Sequence, residues 1–547
     1  MTKKYDLSII LLLAPSGVWA QPGLDQANKT LLQPDLISTP NPQTRPKIKI
    51  EADASVYNAP DVQRSDGIFV GAVNVEGAPD LAASDFGAAI EPFVGRSLQT
   101  QDMTALCHAL ADVARGRGYS FASAYIPPQA LALGVLRVVV DEGVIAEVRI
   151  SGTANKQLKR ALGHLIGHAA TTAETEKQVM LASDIPGITV QKVSFVREGA
   201  RGILIVTASE RRLSGVTILD NYGSKILGPA RVTVAATLTS TLRDGDALTI
   251  AGVTTPLKPK ELNFVALKYT LPVDADGTVL SVSGSRGLTR PGGILGDFDV
   301  RGSSSAVGVA ASHPVFRSRK ASLWMSGGLD YLASDQTLST LPLSNDHLTT
   351  LWLSLTGDTE MLHGKLRSEL TLTHGLPWFN ATRSGDLLTS RTGADGVFTK
   401  LKFSADWVGT LSGSVSLRLA TVAQLASGPL LSAQEISIGG PSFGRAFEFS
   451  ERSGDNGVLG LAELRADFNH PTQWMDWVQP YVFVDGGKVY TLGNTAGNDT
   501  LLSGGGGVRA RYRTTSLSVE SAFPLNTDRL ESGNKKPRLN VQLINGF

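Results

Sequence analysis

The chain is nearly without cysteine. Cys107 stands alone among 547 residues, which excludes an internal disulfide framework and a cysteine-rich metal site. It falls inside an apolar helical pattern, where a small buried residue is expected. An excess of one charge is also missing. With 51 Lys+Arg against 50 Asp+Glu the formal net charge is +1, and there is no basic run to attract nucleic acid. Only 18% of residues are charged and 57 are glycine, a balance that suits short strands and turns more than long surface helices. Beyond residue 20 no apolar run approaches the roughly 18 residues that a membrane helix needs. No Gly-x-x-x-x-Gly-Lys-Ser/Thr is present to cradle a nucleotide. His164 and His168 lie four apart on a helical stretch with no third ligand nearby, so neither a metal nor another cofactor is expected.

What is there begins with an export signal. Lys3 and Lys4 precede an apolar run, and Val18-Trp19-Ala20 offers a cleavage site before Gln21, so residues 1–20 read as a secretory signal peptide. A chain exported in this way and lacking apolar helices can cross a membrane only as a closed barrel. Residues 21–67 are rich in Pro, Asn, Asp and Gln and read as a disordered linker, with LDQANKTLLQ (24–33) patterned as a short helix.

Two units of about 70 residues follow, and their patterns repeat. In 68–143, IFVGAVNVEG alternates as a strand, and DFGAAIEPFVG and TQDMTALCHALADVARGRG have helical spacing. FASAYIPP and GVLRVVVDEG are two further strands. Residues 144–212 give the same order of strand, helix, helix, strand, strand. The text RGYSFASAYIPPQALALGVLRVVVDEG, with Gly118-Tyr119, Tyr125-Ile126-Pro127-Pro128-Gln129 and Glu142-Gly143, resembles the POTRA domains of two-partner-secretion transporters. Pro127 and Pro128 cannot donate to a ladder, so the strand before them stops there. Open strand edges in such domains can take an extended peptide as an added strand.

From 213 to 547 the chain is strands and turns. Val232, Val234, Ala236 and Leu238 share one face against Thr233, Thr237 and Thr239, while Leu366, Leu370 and Leu372 oppose Lys365, Arg367 and Glu369. Leu464 and Phe468 oppose Glu463, Arg465 and Asp467. Alternation of this kind fits a soluble sandwich or a membrane barrel whose polar face lines a hydrated lumen. The export signal, the length of the region and a final strand ending in the aromatic Phe547 favour the membrane. Phe547 resembles the C-terminal signal of outer-membrane barrels, which the barrel assembly machinery reads. The opening of the region, with Asp220-Asn221, Gly223, Gly228 and Arg231, resembles the start of the family's barrel, although hairpin turns alone would also account for these residues. The resemblance implies a transmembrane β-barrel of about 16 antiparallel strands in the outer membrane of a Gram-negative bacterium, behind two periplasmic α+β POTRA domains. It also raises the reading of residues 24–33 as a plug helix.

One stretch breaks the alternation. Residues 436–460 carry Gly439-Gly440, then Gly444-Arg445-Ala446-Phe447, then Gly454-Asp455-x-Gly457. In PYVFVDGG, Val482 and Val484 take one side, and Tyr481, Phe483 and Asp485 the other, so Asp485 should face the lumen. The superfamily folds its sixth extracellular loop inward on a Val-Arg-Gly-Tyr/Phe motif whose arginine meets a barrel-wall aspartate. The resemblance therefore implies an Arg445–Asp485 contact, expected as a bidentate pair holding the loop with about 1.5–3 kcal/mol. Gly444 and Ala446 depart from the family pattern, so the loop should turn differently.

The resulting expectation is a pore that secretes a partner exoprotein, unfolded in transit and β-helix-forming, without ATP. An assembly factor of the same superfamily is the alternative. Gly440-Pro441-Ser442-Phe443-Gly444 also matches the hydrolase Gly-x-Ser-x-Gly elbow at Ser442, but no helix pattern follows it, as that elbow requires.

Overall fold

The computed structural model describes residues 50–52, 67–129, 134–199, 201–493, 497–530 and 532–547. The signal peptide, the 24–33 helix and most of the linker lie outside the described residues.

The first unit packs the helix Thr100–Gly116 against a three-stranded sheet ordered Ala72–Glu76, Val135–Asp141, Ser123–Tyr125. Leu106, Cys107, Leu110, Ala111 and Ala114 form the helix's buried face and meet Leu136, Val138 and Val140. Desolvation pushes the Cys107 thiol up to about 11, as suits an inert core residue.

Two details depart from the sequence reading. IFVGAVNVEG is two strands, because the chain changes partners at Gly71. Ile68–Val70 pairs with Arg96–Leu98, whereas Ala72–Glu76 pairs in parallel with residues 135–139. The helix expected around 85–95 is a short helical turn (Gly87–Ile90) flanked by 3-10 turns, the second of which holds Pro92 near its start.

At Tyr125 the edge strand ends before the two prolines. Gln129 then replaces the lost ladder bonds with its side chain: its Oε1 accepts from Arg137 N (2.9 Å) and its Nε2 donates to Arg137 O (2.7 Å). Gly118 adopts φ +103 at the end of the helix, and its carbonyl accepts from Thr172 N of the second unit at 2.8 Å. Tyr119 Oη donates to Asp80 (3.2 Å).

In the second unit, Asn155 caps Lys156–Gly163 by accepting from Gln157 N and Leu158 N, and a Thr171/Glu174 capping box starts Thr172–Asp184. Both helices cover a sheet ordered Ile50–Ala52, Ile188–Glu198, Arg201–Glu210, Ile145–Ser151. The first of these strands lies within the 21–67 linker, where the sequence reading places no strand: Ile50–Ala52 pairs in parallel with Val193–Phe195. An open sheet edge offers unpaired backbone groups, and the chain's own upstream segment satisfies three residues of it.

The barrel is closed. Its strand order lists seventeen segments, but Asn456–Ala466 and Phe468–Thr472 both pair with Met475–Thr491 and form one strand interrupted at Asp467, leaving sixteen. Closure runs from Val216↔Gly546 to Asp220↔Gln542. Asn221 lengthens this seam with its side chain, donating to Leu539 O and accepting from Val541 N, both at 2.8 Å. At the other end Phe547 exchanges two backbone bonds with Gly215, where any Cβ would strike the Phe547 ring at 2.2 Å.

The second POTRA unit sits against the barrel turns on one rim. Asp184 takes a bidentate pair from Arg317 (2.8 and 2.7 Å), and Gln157 Nε2 donates to Asp274 O (2.6 Å). On the expectation of periplasmic POTRA units, that rim is the periplasmic one and the connections at the opposite rim are the extracellular loops.

An arginine latch in the barrel

Loop L6 (427–455) leaves the strand Val415–Ala426 and returns in Asn456–Ala466. Its base is a small antiparallel pair, Ile436–Ile438 with Arg452–Gly454. Between them the chain knots: Gly439, Gly440 and Gly444 have φ of +113, +98 and +78. Gly439 N donates to Phe443 O, and Gly440 N to Phe447 O. A valine at 444, as in the family motif, would be strained in this backbone. The left-handed residue here precedes the arginine, and Ala446 lies outside that region and is fully buried.

The tip lies against the inner wall. On Met475–Thr491, Val482 and Val484 point outward (58% and 56% exposed), whereas Tyr481, Phe483 and Asp485 are buried inside. Arg445 Nε stands 3.1 Å from Asp485 Oδ2. The expected bidentate fork on this aspartate does not form. Asp485 Oδ1 instead accepts from the backbone of Gly444 (3.0 Å) and Arg445 (3.3 Å), and from Ser503 Oγ. The guanidinium reaches past it, and Nη1 donates to Glu463 Oε2 and Glu520 Oε2, both at 2.8 Å. Phe483, two residues before Asp485 on the same face, underlies the guanidinium with 4.2 Å to the ring centroid.

The carboxylates have further partners. Glu463 also accepts from Arg465 (2.6 Å) and Arg509 (2.8 Å). Glu520 accepts from Tyr481 Oη (2.9 Å) and Asn540 Nδ2 (3.1 Å). Three arginines thus meet three carboxylates, and the cluster is formally neutral. This matters because an unpaired charge so deep would cost several kcal/mol.

Around the ions the wall is apolar. Ala446 and Phe447 pack with Ile436, Ile438, Leu459, Leu461, Val489 and Leu501. Here the lumen departs from the hydrated, polar lining read from strand alternation, because the loop covers inward-facing apolar residues. Ser442 is exposed at the knot, residues 439–451 contain only turns and bends, and no elbow helix follows.

Sequence reasoning missed Glu463 and Glu520 as partners of Arg445. Strand parity carried the signal, since Leu464 is an outward neighbour of Glu463 and Val519 of Glu520.

A family model described as haemolysin secretion/activation protein ShlB/FhaC/HecB matches residues 199–510, more than half of the chain. The chain belongs to that family. A POTRA domain model of the ShlB type matches residues 68–143. The outer membrane transporter CdiB of Escherichia coli is 24% identical over 498 residues, spanning 88% of this chain and 83% of that protein. The heme/hemopexin transporter protein HuxB of Haemophilus influenzae (strain 86-028NP) is 22% identical over 245 residues, 44% of this chain and 43% of HuxB. The solved structure of CdiB from Escherichia coli superposes with a TM-score of 0.70 at 20% identity, covering 97% of this chain and 98% of that one. The chain is accordingly an outer-membrane transporter of the two-partner-secretion type, with its POTRA domains in the periplasm.

Proposed function

We propose that the transporter receives its partner exoprotein unfolded at the POTRA units, passes it through the lumen, and releases it at the surface, where folding into β-structure gives the transfer its direction. Strand addition at a POTRA edge is the capture step. The inward loop is the moving part, and the Arg445 cluster is the latch that holds it. Supporting this is one observation: the tip of L6 is tied to four strands of the inner wall, through Glu463, Asp485, Glu520 and Asn540. A passenger cannot occupy the same volume as that tip, so the latch must release and re-form in each cycle. The wall keeps partners for such a cycle once Arg445 has left, since Glu463 retains Arg465 and Arg509, Glu520 retains Tyr481 and Asn540, and Asp485 retains Ser503. The protein performs no bond chemistry in this reading. Phe547 and the Gly215 beneath it are the feature that the barrel assembly machinery would read during insertion.

The test is co-expression with the protein encoded beside it. The passenger is expected in the medium with the full chain. It is expected to remain in the periplasm when residues 68–143 are deleted, while the barrel keeps its heat-modifiable migration. Secretion that survives the deletion would remove the POTRA unit from recognition.

A further inference from the structure

A second buried ion cluster lies at the extracellular root of L6. Arg391, in loop L5 (377–398), forks onto Asp455 with Nη1–Oδ1 of 2.6 Å and Nη2–Oδ2 of 3.2 Å. The same Nη1 lies 2.9 Å from Glu435 Oε1 and donates to Leu430 O at 2.7 Å. Asp455 is completely buried and also accepts from Leu430 N and from Leu492 N, each at 2.7 Å. Leu492 begins the connection that follows the strand Met475–Thr491, so one carboxylate joins three extracellular connections.

Further contacts join the two loops. Ser432 N donates to Ser390 Oγ (3.2 Å), tying the L6 root to L5, and Ser390 N donates to Asp346 Oδ1 (3.1 Å) on the wall. Leu430 and Leu431 of L6 pack with Ala394 and Phe398 of L5 on the inward-facing Leu348. Leu348 belongs to the eighth barrel strand, Leu341–Met361, whereas the Arg445 cluster uses the twelfth, thirteenth, fifteenth and sixteenth, on the far side of the closed order. The two clusters therefore anchor one loop at its tip and at its root, and the packing at the root reaches a wall strand that the tip does not.

We propose that Arg391, Asp455 and Glu435 form a second latch, which holds the extracellular mouth closed independently of the luminal latch at Arg445. This rests on the reading of the chain as a secretion pore. Releasing Arg445 frees the tip but leaves L5 and L6 joined at Arg391 and packed on Leu348, so a passenger must also part the two loops to leave. Arg391 is then a positioning residue. Removing its charge strands Asp455 and Glu435 in a buried site and favours the open mouth.

Two measurements on the full chain test this. In planar bilayers, Arg391→Gln and Asp455→Asn should each raise the open fraction about tenfold, equivalent to about 1.4 kcal/mol of closed-state stabilisation. Arg391→Lys should fall between, because it keeps the charge and loses the fork. Either effect should multiply with that of Arg445→Ala, as independent latches require. In the second, the pair Ser390→Cys/Ser432→Cys removes no charge and tethers L5 to the L6 root when oxidised. Oxidation should stop passenger secretion and a reductant restore it. Parental open fractions in the folded variants, or full secretion through the oxidised tether, would overturn the proposal. A parent chain that neither conducts nor secretes would instead overturn the pore reading beneath it.

Discussion

Val135–Asp141 in the first POTRA unit and Asn456–Ala466 in the barrel carry the same alternation with opposite outcomes. In the first, Leu136, Val138 and Val140 are buried and the alternate residues face water. In the second, Val458 is 58% exposed and Glu463 is completely buried. Ion pairs divide in the same way. Arg149 meets Glu147 and Glu198 on an exposed POTRA surface, whereas Arg445 and its carboxylates are sealed inside the barrel. The period of two fixes the strand, and the solvent on each side fixes what the two faces do. In lipid the apolar face needs no protein cover, so charge can be gathered on the inside, where it ties the loop to the wall.

That contrast can be broken most severely by one substitution made twice. Val138→Arg places a charge in a core position with no space, and should unfold the first unit, read out by Cys107 becoming open to thiol reagents. Val484→Arg places the same charge against lipid at a cost of about 2–4 kcal/mol near the bilayer midplane. It should lower the inserted fraction while Cys107 stays protected. Normal insertion of Val484→Arg would show that this face does not meet lipid.

A smaller effect is expected where the two regions join. Arg317 is buried, and Asp184→Asn removes the charge that pairs with it, for a loss of about 1.5–3 kcal/mol. Protease should then cleave the POTRA units from the barrel faster, and unchanged cleavage would mean the contact does not set their docking. The least effect belongs to Glu147→Gln. Its partner Arg149 is exposed and also bound to Glu198, so melting and secretion should match the parent. A measurable loss there would remove the distinction between the two classes of ion pair.

Much of this was legible in the chain. Parity alone puts Val482 and Val484 on one face and Asp485 on the other, because strand side chains cannot escape a period of two. The stop at Pro127-Pro128 follows from the missing donors. Less legible were contacts made by closure. Glu520 reaches Arg445 across 75 positions and Arg391 reaches Asp455 across 64, and no local pattern records such distances. The bidentate fork expected at Arg445 is found at Arg391, while the Arg445 guanidinium is shared among Asp485, Glu463 and Glu520. Gln129 and Asn221 both satisfy backbone groups with a side-chain amide, a role their residue type permits but spacing does not reveal. Gly71 read as mid-strand because a change of pairing partner leaves the alternation intact.

The central claim is that the luminal latch holds a loop that must move for secretion. Passenger released into the medium by Arg445→Ala, compared with the parent at equal amounts of heat-modifiable barrel, tests it most directly. Losing a buried cation costs about 3–5 kcal/mol of loop anchoring and leaves a latch that releases but cannot re-form, so secretion should fall sharply while the barrel remains inserted. Parental secretion from the folded variant would contradict the account.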